Sequence, residues 1–163
     1  MTKRTWLTLS LLTLSAGQTL AIEYPFDLYR VSGIYSGKVH YPDFAGRERK
    51  FAMFRTRIRQ AAQQGINFAG HYAIVQFGCG TMCSAVYMTD IANGRVYTFP
   101  LGGEETGRLE LKFASMSSLI VAHWNADFTD GCTEQRFVWR NERFDEIANT
   151  KLDKNAACWT DAK

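Results

Sequence analysis

Apolar and polar positions follow a helical period between Asp43 and Gly65 and strand periods from Asn67 onward. Phe51, Phe54, Ile58, Ala61 and Ala62 recur at helical spacing and form one apolar stripe, which predicts that Phe54 and Ile58 are buried. Arg49, Arg57 and Gln60 fall on the opposite side, and Arg55 lies beside the stripe, in reach of a carboxylate at a helix–sheet seam. Asp43 suits a helix N-cap and Gly65 a C-terminal stop. Phe68 to Phe77 is nearly continuous apolar sequence, the pattern of a strand covered on both faces. Ser84–Ile91 and Arg95–Phe99 flank Asn93-Gly94, a hairpin signal. Leu109–Phe113 and Leu119–Trp124 make a second pair around residues 115–118, and Arg136–Arg140 and Arg143–Ile147 a third around Asn141-Glu142. Residues 22–42 read as an irregular lead-in with one short strand near Gly33–Tyr41. The expected fold class is α+β: one helix packed on an antiparallel β-meander, disulfide-stapled, in a single domain over 22–163.

The N-terminus changes the picture of where such a domain works. Lys3-Arg4 precedes the apolar run Trp6–Leu14, and Thr19-Leu20-Ala21 supplies small residues at the positions that a signal peptidase reads. Residues 1–21 are therefore read as a signal peptide, with a periplasmic or secreted destination. The run is too short to cross a bilayer as a helix, so no membrane span is expected in the mature chain. No cysteine lies near the cut, which argues against a lipoprotein anchor. Loss of Lys3 and Arg4 reduces 19 basic residues to 17 against 16 acids, too weak a field for nucleic-acid recognition.

All four cysteines, Cys79, Cys83, Cys132 and Cys158, lie after the cut, and an even number in an exported chain suggests two disulfides. The preferred pairing is Cys79–Cys83 with Cys132–Cys158, a crossed pairing being the alternative. Gly78 and Gly80 permit the tight turn that a short bridge needs. The longer bridge would tie the polar tail from Asn149 to the sheet and contribute about 3–4 kcal/mol. Redox-active thiols usually have two intervening residues; here three intervene, so a staple is the better reading.

The run Asn67-Phe68-Ala69-Gly70-His71-Tyr72, followed by Gly78-Cys79-Gly80-Thr81-Met82-Cys83, resembles a family of small exported bacterial proteins of unassigned activity. The resemblance continues through Asp90, Gly94 and Val96-Tyr97 and covers about the central third of the chain. It implies export and no particular chemistry.

Candidate chemistry is sparse. His71 opens the central strand beside Gly70, in alternation with Ala73, Val75 and Phe77. It suits either a general base or binding contact, or a hydrogen-bonded residue ordering the strand entrance; no neighbouring Ser, Asp or Glu in the sequence completes a nucleophile–base pair. His40, His71 and His123 lack recurrent ligand spacing, and Asn125, Asp127, Asp130 and Glu134 do not have the spacing of a calcium loop, so no metal or other cofactor is expected. Arg47, Arg49, Lys50, Arg57 and Arg59 make a basic helix face, either an ordinary charged face or a contact for an acidic protein or envelope polymer. Taken together, these features predict a small periplasmic protein that binds and occludes an envelope or exported partner protein, as inhibitors and immunity proteins do. Its contact residues are His71, Gly80, Thr81 and Met82. The alternative is a small envelope hydrolase using His71. A carboxylate or hydroxyl in a cleft with His71 would favour the enzyme, and a protruding, rigid Gly80–Met82 loop the binder.

Overall fold

The computed structural model describes residues 24–125 and 131–152. Residues 1–21, for which a signal peptide is expected, and Asp127, Asp130 and Cys158 lie outside the described residues.

After a short 3-10 turn at Phe26–Tyr29, the lead-in runs without strand structure through Gly33–Tyr41, contrary to the strand expected there. It is tied instead to loops: Tyr35 N–H donates to Gly70 O at 2.7 Å and His40 N–H to Ile91 O at 2.9 Å. Asp43 does not cap an α-helix. Its Oδ1 accepts from the amides of Ala45 and Gly46, closing a turn that passes into a 3-10 helix at Arg49–Phe54. The α-helix proper, α1, spans Arg55–Gln64 and ends at Gly65, whose φ of +99° suits only glycine well. Ile58, Ala61 and Ala62 are buried as the stripe predicts, and Phe54 is half-buried.

Seven strands follow: β1 Tyr72–Gly80, β2 Cys83–Asp90, β3 Val96–Thr98, β4 Glu110–Phe113, β5 Leu119–Trp124, β6 Cys132–Arg140 and β7 Arg143–Leu152. The class is α+β. Strands pair antiparallel in sequence order, yet in two sheets, β1-β2-β3 and β4-β5-β6-β7. The break falls after Phe99. Pro100 lacks the amide that would continue a ladder, and Gly102 and Gly103 have φ of +149° and +74°. Asn93-Gly94 turns β2 into β3, with Gly94 at φ +72°, and Asn141-Glu142 turns β6 into β7 with both residues left-handed.

The layers stack as helix, three-stranded sheet, four-stranded sheet and lead-in. Ala61, Ala62 and Ile58 pack on Ala73, Ile91 and Val96. On the other face of β1–β3, Ile74, Val86, Met88 and Phe99 meet Ile120, Ala122, Phe137 and Trp139 of the second sheet. The far face of that sheet, with Leu119, Val121 and Val138, is covered by Tyr24, Phe26 and Tyr29. Ser117 Oγ donates to Phe26 O at 2.8 Å and Ser118 N–H to Tyr29 O at 2.9 Å, fixing the lead-in there. No helix of the described residues is long and apolar enough to cross a membrane.

Candidate functional site

The N-F-A-G-H-Y run builds the entrance to β1 residue by residue. The Asn67 carboxamide accepts from Ile74 N–H at 2.7 Å and donates to Ile74 O at 2.9 Å, pairing with the outer edge of β1 as a neighbouring strand would. Phe68 is fully buried in the core between the sheets. Ala69 and Gly70 turn left-handed, at φ +44° and +71°. A Cβ on Gly70 would lie 2.1 Å from Gly33 O, so the glycine admits another stretch of this chain's backbone. His71 then surfaces and Tyr72 starts the ladder.

His71 is exposed and precedes the strand instead of sitting within it. Its main chain orders the entrance: the amide donates to Phe68 O and the carbonyl accepts from Ile91 N–H at 2.9 Å. Its ring lies 5.5 Å from that of Tyr35 and makes no hydrogen bond among the described residues. His71 borders a concavity of about 410 Å³ that also touches Tyr72, Ser32, Ser118, Trp139 and Glu142. The Ser32 and Ser118 hydroxyls and a carboxylate therefore share the space with His71, and of these the carboxylate and the Ser118 hydroxyl are engaged elsewhere. Glu142 Oε2 pairs with Arg95 at 2.7 Å, and Ser118 Oγ donates to Tyr29 O at 3.2 Å. Burial pushes the Tyr72 phenol above its usual range, against a smaller opposing hydrogen bond with Trp139. Tyr97 is raised too, first by burial and then by the charge of Glu142.

The far end of β1 is different. Gln76, Gly78, Cys79, Gly80 and Thr81 are exposed, so the strand is not covered on both faces along its length. Cys79 and Cys83 are joined, with Cα atoms 5.0 Å apart, across the turn at Thr81-Met82. Cys132 is also disulfide-bonded, and its expected partner Cys158 falls outside the described residues. Met82 does not project as expected. At φ +63° it is half-buried, and its Cε lies 2.7 Å from where a Cβ on Gly107 would stand. It folds back onto the loop before β4, leaving Gly80 and Thr81 as the outer tip.

Ladder geometry adds a feature that the sequence reading missed. Since Ile74 turns its amide and carbonyl away from β2 to meet Asn67, alternation turns those of Gln76 and Gly78 outward too. The complementary alternation is visible on β2, where Val86 O and Ser84 O, opposite Gln76 and Gly78, face Phe99 and Gly103. Among the described residues no strand pairs with the outer edge of β1, and the four outward backbone polar groups of Gln76 and Gly78 have no main-chain partner there. Gln76 itself donates from Nε2 to Leu109 O at 2.8 Å, which holds the strand to the second sheet.

A second group also escaped the sequence reading. His123, 1% exposed, places Nε2 3.0 Å from Glu134 Oε2 and 3.5 Å from the Tyr24 hydroxyl. Arg136 holds the other Glu134 oxygen at 2.7–2.8 Å. The facing positions of β5 and β6 and the alternation Leu119, Val121, His123 were the available signal. The group lies under the lead-in, where the buried His123 ring and the half-buried Glu134 carboxylate are paired with each other.

Arg55 is exposed and bonds Ala52 O, not a carboxylate at a seam. No cluster of three metal-ligating side chains occurs among the described residues. Comparison with family models, curated proteins and solved structures finds no match.

Proposed function

We propose that this is an exported, periplasmic binding protein that occludes a partner protein, docking through the outer edge and tip of the β1–β2 ribbon. The observation that carries the reading is the half-open edge. Asn67 closes it at Ile74, and beyond that point the outward groups of Gln76 and Gly78 are free on a segment pinned by Cys79–Cys83. An extended segment of a partner can add there as a strand, with main-chain bonds giving affinity. The covalent closure lowers the ordering entropy lost on docking. Gly80 and Thr81 contact the partner at the tip. Met82 supports the turn from behind, and His71 lies at the opposite end of the strand, outside the central contact.

Backbone amide exchange tests this directly. A partner recovered from envelope extract should protect the Gln76 and Gly78 amides, and Gly78→Pro, which removes an outward N–H without touching the β2 ladder or the Gln76–Leu109 bond, should abolish capture at an unchanged melting temperature. Unchanged exchange at both amides together with retained capture by Gly78→Pro would sink the reading. The hydrolase alternative rests on the concavity shared by His71, Ser118 and Glu142. Loss of a measured turnover in His71→Ala with the fold intact would replace binding by catalysis.

A further inference from the structure

We infer that the outer surface of the 3-10 helix and α1 is a docking face for an anionic lipid bilayer, separate from the ribbon edge. Arg47, Arg49, Lys50, Arg55, Arg57 and Arg59 lie within thirteen residues, and the same stretch holds one acid, Glu48. Glu48 is buried and already bonded to Arg47 at 2.7 Å. From Arg49 to Gly65 there is no acidic residue at all. Arg49, Lys50, Arg55, Arg57 and Arg59 are exposed, and no carboxylate pairs with any of them among the described residues.

Helix stability does not account for these charges. The positive end of the backbone dipole is the N-terminus, where acids stabilise and cations destabilise. The first turn of α1 nevertheless carries Arg55 and Arg57 and no acid, and the last turn carries no base. Ordinary solvated faces also intersperse both signs, whereas the outermost positions here are Thr56, Gln60 and Gln63. Arg55 and Arg59, one turn apart, join those three in lining a shallow groove of about 290 Å³, while Arg57 flanks the other side. An external anion is what the arrangement lacks.

Met53 selects a bilayer over an acidic protein or a free polyanion. It is 85% exposed, the most exposed of the large apolar side chains among the described residues, and stands three residues after Lys50 and four before Arg57. A lone apolar side chain ringed by cations suits a surface of anionic headgroups with hydrocarbon beneath, where amphipathic helices lie in the interface plane. Phosphates in solution offer nothing for it to enter.

Co-sedimentation of the whole chain with phosphatidylglycerol-containing and pure phosphatidylcholine vesicles tests the proposal; residues 1–21 are then constant, and only differences between lipids and variants count. The expected result is an excess of binding to the anionic vesicles that falls with salt. Arg55→Gln with Arg59→Gln should weaken it by about 25-fold at low ionic strength, from about fivefold per charge near the surface. Met53→Ser should weaken it with the salt dependence retained. No excess on anionic vesicles, or an excess indifferent to the arginine pair, overturns the proposal. Binding to soluble polyphosphate without binding to vesicles does so too, in favour of a free polyanion. Should the double variant not fold, Arg57→Gln alone, at an exposed position of α1, decides by the same difference from the unaltered chain.

Discussion

Strands β1 and β5 read alike, as Ala73-Ile74-Val75 and Leu119-Ile120-Val121, yet only one of them is interior. In β5 the first five residues are buried: Ile120 and Ala122 face the other sheet, and Leu119 and Val121 face the lead-in. Paired on both sides by β4 and β6, β5 has no free edge. β1 is an edge strand, buried at Ala73 and Ile74 and increasingly exposed towards Gly80. An apolar run therefore reports what a strand can bury, while its place in the sheet decides what it does bury. The half of β1 that outruns the core is held covalently and left unpaired at its edge, which is what a docking element requires and a core element avoids.

The largest expected effect separates the two strands. Ile120→Ala should lower unfolding stability by about 2–5 kcal/mol, as deletion in a closed core does. Val75→Ala, half-buried against the helix layer, should lower it by about 1 kcal/mol. Denaturant midpoints with unchanged slopes measure both. Equal losses would mean that β1 is as interior as β5 and would undo the comparison.

The helix, the strands and two of the turns were legible because local chemistry dictates them. Gly94, Asn141 and Glu142 adopt the left-handed conformations that the hairpins need, and Gly65 stops α1 as expected. The Cys79–Cys83 bridge also followed from spacing and the flanking glycines. What the sequence hid depends on contacts between distant residues. The division into two sheets rests on Phe99 staying in the core while the chain at Pro100–Gly102 leaves the ladder, touching β2 again only through the Ser84–Gly103 bridge before it crosses to β4. Met82 reads as a free apolar tip, but the loop at Gly107 offers it a surface. The site was legible as a segment and not as a mode of contact. Nothing in the sequence singles out Asn67 within its motif, and only its bonds to Ile74 reveal where the edge closes and where it stays open.

An intermediate effect should appear at alkaline pH, at the seam where the two sheets meet. The Tyr72 ring lies 5.4 Å from Trp139 and Tyr97 4.8 Å from it, and burial raises both phenols. The unfolded chain loses these protons near the ordinary tyrosine value of about 10, before the native protein does. Stability is therefore unaffected well below that pH, falls as pH rises through it, and levels only above the raised native values. Denaturation at about pH 9 and about pH 11 should show the fall, and Tyr72→Phe should reduce it. An identical fall in Tyr72→Phe would place the responsible groups elsewhere, with Tyr87, also raised by burial, next.

The smallest effect concerns how the other long hairpin is closed. The β1–β2 turn is closed by a covalent bridge, whereas the β6–β7 turn has Asn141 and Glu142 at φ +51° and +57°. Glu142 also reaches Arg95, just before β3, so this ion pair links one sheet to the other. In Glu142→Gly two terms oppose. Relief of a left-handed non-glycine residue is worth about 1–2 kcal/mol, offset by the greater freedom of glycine in the unfolded chain, about 0.5–1 kcal/mol. Loss of an exposed ion pair removes about 0–1 kcal/mol. At mid-range these terms leave a gain of about 0.3 kcal/mol, between limits of a gain of about 1.5 and a loss of about 1 kcal/mol, in calorimetry at low salt, where the ion pair is least screened. A loss above about 1 kcal/mol would show that Arg95–Glu142 clamps the sheets together, making charge at this turn the counterpart of the disulfide at the other.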